Sequence, residues 1–127
     1  MSGTRLFAAA LLLLSAMPAA ADRQAVLEHY AAGAETPPSA ERGRTLWEKK
    51  GFKGRDCTQC HGTDLRRAGR HQRTRKPIDP MAPSVDPDRF TDLKKVEKWF
   101  RRNCKWTWGR ECSTQEKADI LQWLNTL

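Results

Sequence analysis

The sequence predicts an all-α fold, and three observations support that prediction. Apolar residues recur at steps of three and four in four segments of the chain, which is the period of an amphipathic helix. Ser39, and later the pair Ser113 and Glu116, precede two of these segments in the pattern of helix N-caps. No segment has the alternation of a convincing strand, and there is no internal repeat.

Residues 1–21 have the pattern of a cleaved secretory signal peptide. Arg5 precedes an apolar run over residues 6–16, and Ala19-Ala20-Ala21 fits a small-residue cleavage site. The run is short for a membrane-spanning helix, which makes an uncleaved anchor the weaker interpretation. We therefore expect a mature chain of residues 22–127, folded as one domain and located in the periplasm.

The composition restricts the partners. Lys and Arg number 23 against 15 Asp and Glu, and the isoelectric point is about 9.7. This excess would suit nucleic acid, an anionic lipid surface or an acidic protein, and export argues against nucleic acid. A domain of this size buries only a modest core, and such domains often depend on a disulfide, a metal or a cofactor.

The first two predicted helices flank a proline break. One lies within residues 22–38 and is ended by Thr36-Pro37-Pro38. The other is capped by Ser39, covers Ala40 to Lys50 and stops at Gly51. The apolar side of the first helix consists of Val26, Leu27, Tyr30 and Ala31.

Two more helices are predicted in the C-terminal part, after a long irregular stretch. Residues 62–90 show no periodicity and contain four prolines, which is sensible if this loop wraps a large flat cofactor. Thr91 is placed to cap the third helix, and Ser113 with Glu116 forms a capping box for the fourth. The apolar face of the third helix is read as Leu93, Val96, Trp99, Phe100 and Asn103, and that of the fourth as Ile120, Leu121, Trp123, Leu124 and Leu127.

The most specific motif is Cys57-Thr58-Gln59-Cys60-His61. The spacing C-x-x-C-H allows two thioether bonds to haem vinyl groups, with the adjacent histidine as proximal iron ligand. A redox dithiol or a zinc site shares part of this pattern, but helix signals flank the motif and no second ligand pair has suitable spacing. We therefore predict one covalent haem c on Cys57 and Cys60, with His61 on the iron.

Gly43 bears on how the helices pack. It lies one turn before Trp47, and a glycine there permits close approach by the last helix through Trp123 and Leu124. The alternative is that Gly43 is only a weak point in its helix. Crossed terminal helices next to a haem motif resemble the class I cytochrome c fold.

Four residues are candidates for the sixth iron ligand. Met81 is the default thioether ligand, although it follows His61 closely in the chain and also suits apolar packing. His71 has basic, polar surroundings, and His29 lies before the motif on an amphipathic helix, so surface positions are favoured for both. Asn103 continues the apolar face of the third helix, where a ligand, a helix C-cap or a buried hydrogen bond would each explain it.

Over residues 42–127 the chain resembles the SHP cytochromes (sphaeroides haem protein type). The stretches that carry the resemblance are Glu41-Arg42-Gly43-Arg44-Thr45-Leu46, Cys57-Thr58-Gln59-Cys60-His61-Gly62, Ala82-Pro83-Ser84, Pro87-Asp88-Arg89-Phe90-Thr91-Asp92, Val96-Glu97-Lys98-Trp99, Arg102-Asn103-Cys104 and Glu116-Lys117-Ala118-Asp119. The resemblance implies that Asn103 is the distal ligand in the oxidised state and leaves the iron on reduction. It also implies a disulfide between Cys104 and Cys112, next to that asparagine.

The function expected from this resemblance is a haem protein that binds oxygen or nitric oxide when reduced and exchanges electrons. The resemblance suggests a dihaem cytochrome c and a membrane cytochrome b as electron partners. The alternatives are a pure electron carrier, with stable Met81 or Asn103 ligation, and a zinc or basic adhesion module without haem. The sequence shows no acid–base constellation that would indicate a specific enzymatic reaction.

Overall fold

The computed structural model describes residues 18–127, in which α-helices and a single small sheet surround an apolar core. The α-helices are α1 (Pro18–Ala31), α2 (Ala40–Glu48), α3 (Thr58–His61), α4 (Leu93–Trp108) and α5 (Thr114–Leu124). A 3₁₀ turn covers Phe52–Gly54, and the sheet pairs β1 (Gly69–Arg70) with β2 (Pro77–Ile78). None of the helices within the described part of the chain is long and apolar enough to cross a membrane.

The predicted signal peptide lies mostly outside the described residues, since these begin at Pro18. Ala19, Ala20 and Ala21, the predicted cleavage site, form part of the first turns of α1. Removal of residues 1–21 thus stays a prediction. It would leave intact the part of α1 that is buried, which consists of Val26, Leu27 and Tyr30.

Helices α2 and α5 cross in close backbone contact. An ideal Cβ on Gly43 would lie 1.9 Å from the carbonyl oxygen of Asp119, so only glycine permits this approach. The contact brings Trp47 of α2 against Ile120 and Leu124 of α5 in one buried cluster. The prediction that Gly43 allows close packing by the last helix is therefore confirmed.

A buried carboxylate fastens the start of α2 to α5. Asp119 is 2 % exposed and accepts hydrogen bonds from the Ser39 backbone N–H at 2.8 Å and from Arg42 Nε at 2.8 Å. Gln115 donates a further bond to it at 3.0 Å. Burial raises the pKa of Asp119, but the bonds from Arg42 and Ser39 outweigh it and hold that pKa below its usual value. The carboxylate thus stays ionised inside the fold.

Helix α1 covers the other side of the core, against α4 and α5. Its Val26, Leu27 and Tyr30 pack with Val96 of α4 and Leu121 of α5. The Tyr30 hydroxyl donates a 2.7 Å hydrogen bond to Glu97 on α4. Burial and the bond to Glu97 raise the pKa of Tyr30 well above its ordinary value, so the phenol keeps its proton.

Several predicted helix boundaries are wrong by a few residues. The helix in residues 22–38 ends at Ala31, before the proline break, and the following chain turns toward α5, where the Thr36 N–H donates to Gln115 Oε1 at 2.8 Å. Helix α2 begins after Ser39 as predicted but ends at Glu48, short of Gly51. A Cβ on Gly51 would lie 2.2 Å from Trp108 Cδ1, so close packing is the reason for that glycine.

The cap of α4 and the absence of strands were also predicted wrongly. Asp92 caps α4 by accepting from the Lys95 N–H, whereas Thr91 directs its hydroxyl back to the Asp88 carbonyl. The stretch predicted to be irregular contains the short β1–β2 hairpin, whose two-residue strands are too short to show an alternating pattern. The capping box of Ser113 and Glu116 on α5 is confirmed.

Candidate haem site

The segment that carries the haem motif is a single turn, α3, set by a buried aspartate in front of it. Asp56 is 6 % exposed; its carboxylate accepts a 3.2 Å hydrogen bond from the Gln59 N–H and close contacts from Thr58 Oγ1 and Lys50 Nζ. Burial raises the pKa of Asp56, but the bonds from Lys50 and Thr58 hold it below its usual value. The ionised carboxylate therefore fixes the start of the turn, a role that the sequence analysis missed although Asp directly precedes the motif.

The first cysteine of the motif faces the core. Cys57 packs against the cluster formed by Trp47, Leu65, Ile120 and Leu124. Burial, together with the Asp56 charge, raises the pKa of the Cys57 thiol to about 12. The two motif cysteines are not joined to each other, and each is half-buried. Neither sulfur is used in a disulfide, which leaves both for thioether bonds to a haem.

The motif histidine packs against a tryptophan side chain. The ring centroid of His61 lies 5.2 Å from that of Trp47, which in turn lies 5.6 Å from that of Trp123. Burial, and the nearby charge of Arg89, lower the pKa of His61 to about 4. The imidazole is neutral at physiological pH, which is the protonation state in which histidine binds a metal.

The β1–β2 hairpin packs against α3, which we call the haem turn because it carries the haem motif. A Cβ on Gly69 would lie 2.3 Å from the Cys60 carbonyl oxygen and 2.9 Å from the Cα of His61. Only a glycine allows the strand to approach this turn so closely. Nothing in the local sequence distinguishes Gly69 from a turn glycine, so its role could not be predicted.

Asn103 lies inside helix α4 and is exposed. The helix continues to Trp108 and ends with Gly109 in the left-handed conformation, so Asn103 is not the helix C-cap. Val96 is buried and Phe100 half-buried, whereas Trp99 is 48 % exposed and Asn103 is exposed. The predicted apolar face is therefore wrong in part, because the core side of α4 continues to Cys104 and Thr107 and leaves Trp99 and Asn103 on the adjoining flank.

A disulfide anchors the backbone next to Asn103. Cys104 and Cys112 are bonded, their Cα atoms lie 5.6 Å apart, and both residues are buried. Because α4 extends to Trp108, residues 105–108 of the segment between the two cysteines are helical. Asn103 therefore has a fixed backbone and an exposed side chain.

The other predicted ligand candidates occupy different environments. Met81 packs against the same cluster as Cys57, and its N–H donates to the Leu65 carbonyl at 3.0 Å. His71 is exposed at the tip of the hairpin, where Nδ1 accepts from the Thr74 N–H at 3.1 Å. His29 is exposed on α1. Over residues 18–127 no three His, Cys, Asp or Glu side chains are placed to hold a metal ion together.

Comparison with known proteins shows what this fold and motif belong to. Residues 33–124 match the family described as a domain of unknown function, DUF1924. The chain is 52 % identical over 99 residues to the cytochrome c-type protein SHP of Cereibacter sphaeroides, covering 75 % of this chain and 76 % of that protein. It is 37 % identical over 94 residues to cytochrome c'' of Methylophilus methylotrophus, covering 70 % and 65 %.

Solved structures agree with these relatives. The structure of oxidised SHP, described as an oxygen-binding cytochrome c, matches with a TM-score of 0.77 and 47 % identity, covering 83 % of this chain and 96 % of that one. Oxidised cytochrome c'' from Methylophilus methylotrophus matches with a TM-score of 0.73 and 29 % identity, covering 84 % and 95 %.

The fold and these relatives together define an all-α, class I cytochrome c-like protein with one covalently bound haem c. Within that class, the chain belongs to the DUF1924 family and is an SHP-type cytochrome. The predicted fold class, family resemblance and cofactor are thereby confirmed, and the zinc or adhesion module without haem is excluded.

Proposed function

We propose that this protein is a periplasmic cytochrome whose reduced form binds a diatomic gas, oxygen or nitric oxide. Cys57 and Cys60 would hold the haem by thioether bonds, and His61 and Asn103 would bind its iron in the oxidised state. Asn103 would be released on reduction. The haem supplies an iron that changes oxidation state and, when ferrous, offers a free coordination position to the gas.

The observation that carries this proposal is the contrast between the backbone and the side chain at Asn103. The backbone is fixed by the helix and by the buried disulfide at Cys104, while the amide side chain is exposed on the flank of α4. An amide is a neutral, weak donor. A ligand of this kind can hold ferric iron, release ferrous iron and return to the same place, because its anchor does not move.

The environment of His61 supports the same assignment. Its imidazole is neutral, and packing against Trp47 limits the room in which the ring can turn. The packed His61 ring and the exposed Asn103 side chain differ in their freedom to move, so a loss of one ligand on reduction would fall on Asn103. Gas binding and redox state are linked in consequence, since only one of the two states offers the gas a position.

A pure electron carrier with Met81 as the distal ligand is the competing assignment. Met81 packs into the cluster that also receives Cys57, and its backbone is tied to Leu65. This placement favours a packing role for the methionine. It supports Asn103 over Met81 as the residue on the distal side.

Electron delivery is the second half of the proposal. A protein that gates a site by reduction needs a donor, and the donors we propose are a dihaem cytochrome c and a membrane cytochrome b. The positive charge of the chain, 23 Lys and Arg against 15 Asp and Glu, suits an acidic docking face on such a partner.

The test compares two variants of the purified haem protein in the ferric state. Asn103→Ala should lose the native low-spin absorption spectrum, because the distal ligand is gone, and Met81→Leu should keep it. Circular dichroism of both variants controls for folding. If Asn103→Ala keeps the native spectrum and Met81→Leu loses it, the methionine is the ligand and the gas-binding proposal fails.

A further inference from the structure

The last turn of α4 lies against the segment that leads into the haem motif. Residues 106–108 of that turn each contact a residue of the segment 51–57. Asn103, the proposed distal ligand, lies about one helical turn before them. The contacts therefore join the helix that carries the proposed ligand directly to the segment that ends in the first haem cysteine, Cys57.

Arg55 makes two of these contacts, both with Trp106. Its Nη1 donates a 3.1 Å hydrogen bond to the Trp106 carbonyl oxygen, and its guanidinium stacks on the Trp106 ring at 3.5 Å from the ring centroid. That carbonyl is one of the last four of α4, for which a helix supplies no donor of its own. A positive charge at the C-terminal end of a helix is favourable as well. The half-buried Arg55 therefore fastens the end of α4 from outside the helix.

Thr107 makes the contact with the haem motif itself. It is 4 % exposed, and its hydroxyl donates a hydrogen bond to the Cys57 sulfur, which opposes the rise that burial causes in the pKa of that thiol. A thioether sulfur is also a weak acceptor, so the hydroxyl keeps a partner once a haem is attached. Thr107 follows Asn103 by four residues, so the two side chains are neighbours on one side of α4.

Gly51 allows the two segments to approach each other this closely. A Cβ at this position would lie 2.3 Å from the Thr107 carbonyl oxygen and 2.2 Å from Trp108 Cδ1. The Gly51 N–H donates a 2.7 Å hydrogen bond to the Arg55 carbonyl, which closes residues 51–55 into a turn. The closed turn fixes the backbone from which the Arg55 side chain reaches α4.

We propose that Arg55 and Thr107 are positioning residues for Asn103, which hold α4 in a fixed place relative to Cys57 and so set how strongly the amide binds ferric iron. The inference rests on the proposed function, because it requires Asn103 as the distal ligand. A weak ligand depends on being held in its bound position in advance, since otherwise the cost of ordering it exceeds what the bond returns. Loosening either contact should therefore weaken the Asn103 bond to ferric iron without removing the amide.

The test measures imidazole binding to the ferric haem protein by absorption titration at pH 8, where imidazole is mostly neutral. Imidazole reaches the iron only when the sixth ligand is off, so its apparent affinity rises as the Asn103 bond weakens. The variant Arg55→Met keeps a long side chain but loses the charge and the donors. The control Arg44→Met removes the same charge from an exposed arginine of α2 that pairs with Glu48.

We expect Arg55→Met to bind imidazole about tenfold more tightly than wild type, because a bond from a charged donor is lost. Arg44→Met should stay within about twofold of wild type. In the Asn103→Ala background, Arg55→Met should change the affinity by less than about twofold, because the amide that it positions is absent. A tenfold gain in both backgrounds, or in neither, would overturn the positioning role of Arg55.

Thr107 provides a second pair of variants in which the charge does not change. Thr107→Val removes the hydroxyl and should tighten imidazole binding about fivefold, whereas Thr107→Ser keeps the hydroxyl and should bind imidazole as wild type does. Equal affinities of the two variants would overturn the role of the hydroxyl. This pair also decides the question if Arg55→Met does not fold, which circular dichroism reveals.

The same titrations separate the failure of this inference from the failure of the proposed function. If Asn103→Ala alone changes neither the imidazole affinity nor the ferric spectrum, Asn103 is not the ligand and both proposals fail. If Asn103→Ala changes both, while Arg55→Met and Thr107→Val behave as wild type, only the positioning role fails.

Discussion

Replacing Gly43 by alanine is the sharpest test of the helix crossing that supports the haem turn. An ideal Cβ at this position would lie 1.9 Å from the carbonyl oxygen and 2.5 Å from the carbonyl carbon of Asp119, and 2.9 Å from the amide nitrogen of Ile120. All three atoms belong to the backbone of α5. No side chain can turn away to make room, so the helices themselves must separate.

The size of the effect follows from that geometry. Carbon and its neighbours prefer a separation of about 3.5 Å, so α2 and α5 would have to part by more than about 1 Å. Overpacking typically costs about 1–3 kcal/mol. Separation also loosens Trp47, Ile120 and Leu124, which are 6 %, 4 % and 2 % exposed, so we expect a loss of about 3 kcal/mol or more. For a domain of this size the melting temperature should fall by roughly 12 °C or more.

The assay is urea unfolding of the haem protein followed by far-ultraviolet circular dichroism, with Thr45→Ala as the control. Thr45 is exposed on the same helix, and its hydroxyl bonds only to the Glu41 carbonyl, at 3.0 Å. The control should change the free energy of unfolding by less than about 0.5 kcal/mol. A Gly43→Ala protein as stable as the control would refute the argument that glycine is required at this crossing.

Three further perturbations probe the polar and covalent ties of the fold. Asp119→Asn should lower the free energy of unfolding by about 1.5–3 kcal/mol, since bonds to a charged group are lost. Because the pKa of Asp119 is lower in the folded than in the unfolded chain, wild type should lose stability as the pH falls below about 4. Denaturation curves of Asp119→Asn at several pH values should lack that part of the pH dependence. Tyr30→Phe removes the bond to Glu97 and should cost about 1–2 kcal/mol by the same measurement, and an unchanged midpoint would contradict it. Replacing Cys104 and Cys112 by serine should cost about 2–3 kcal/mol and weaken the native ferric low-spin spectrum, and a spectrum identical to wild type would show that the disulfide does not position the ligand.

The elements that could be predicted from the sequence are those specified by neighbouring residues. Ser39 and the pair Ser113 and Glu116 cap their helices as predicted, because capping bonds span only three residues. The close packing at Gly43 was also expected, from its place one turn before Trp47 and from the resemblance to a fold with crossed terminal helices.

The parts that were predicted wrongly depend on a choice between two adjacent residues for one local bond, or on how the chain packs once it is folded. Whether Thr91 or Asp92 caps α4 is decided by the bond from Thr91 to the Asp88 carbonyl. Helix α1 ends at Ala31, and the chain that follows it is bonded to α5, where the Thr36 N–H donates to Gln115 Oε1. The place of Asn103 on the flank of α4 was missed because its neighbours Val96 and Phe100 suggested a wider apolar face than the helix buries.

At the haem site, too, some features could be predicted from the sequence and others could not. The motif Cys57 to His61 identified the cofactor by its spacing, which is fixed by the chemistry of attachment. The buried Asp56 that fixes the turn, and Gly69 that lets the hairpin close over it, were not recognised. Neither belongs to the motif, and their roles appear only once the chain is folded.

The most direct test of the whole account is carbon monoxide binding to the dithionite-reduced protein, followed by absorption spectroscopy. If Asn103 releases the iron on reduction, the reduced spectrum should be that of a haem without its sixth ligand, and it should shift at once when the gas is added. A reduced protein that remains six-coordinate and does not respond to carbon monoxide would contradict the account and leave a simple electron carrier.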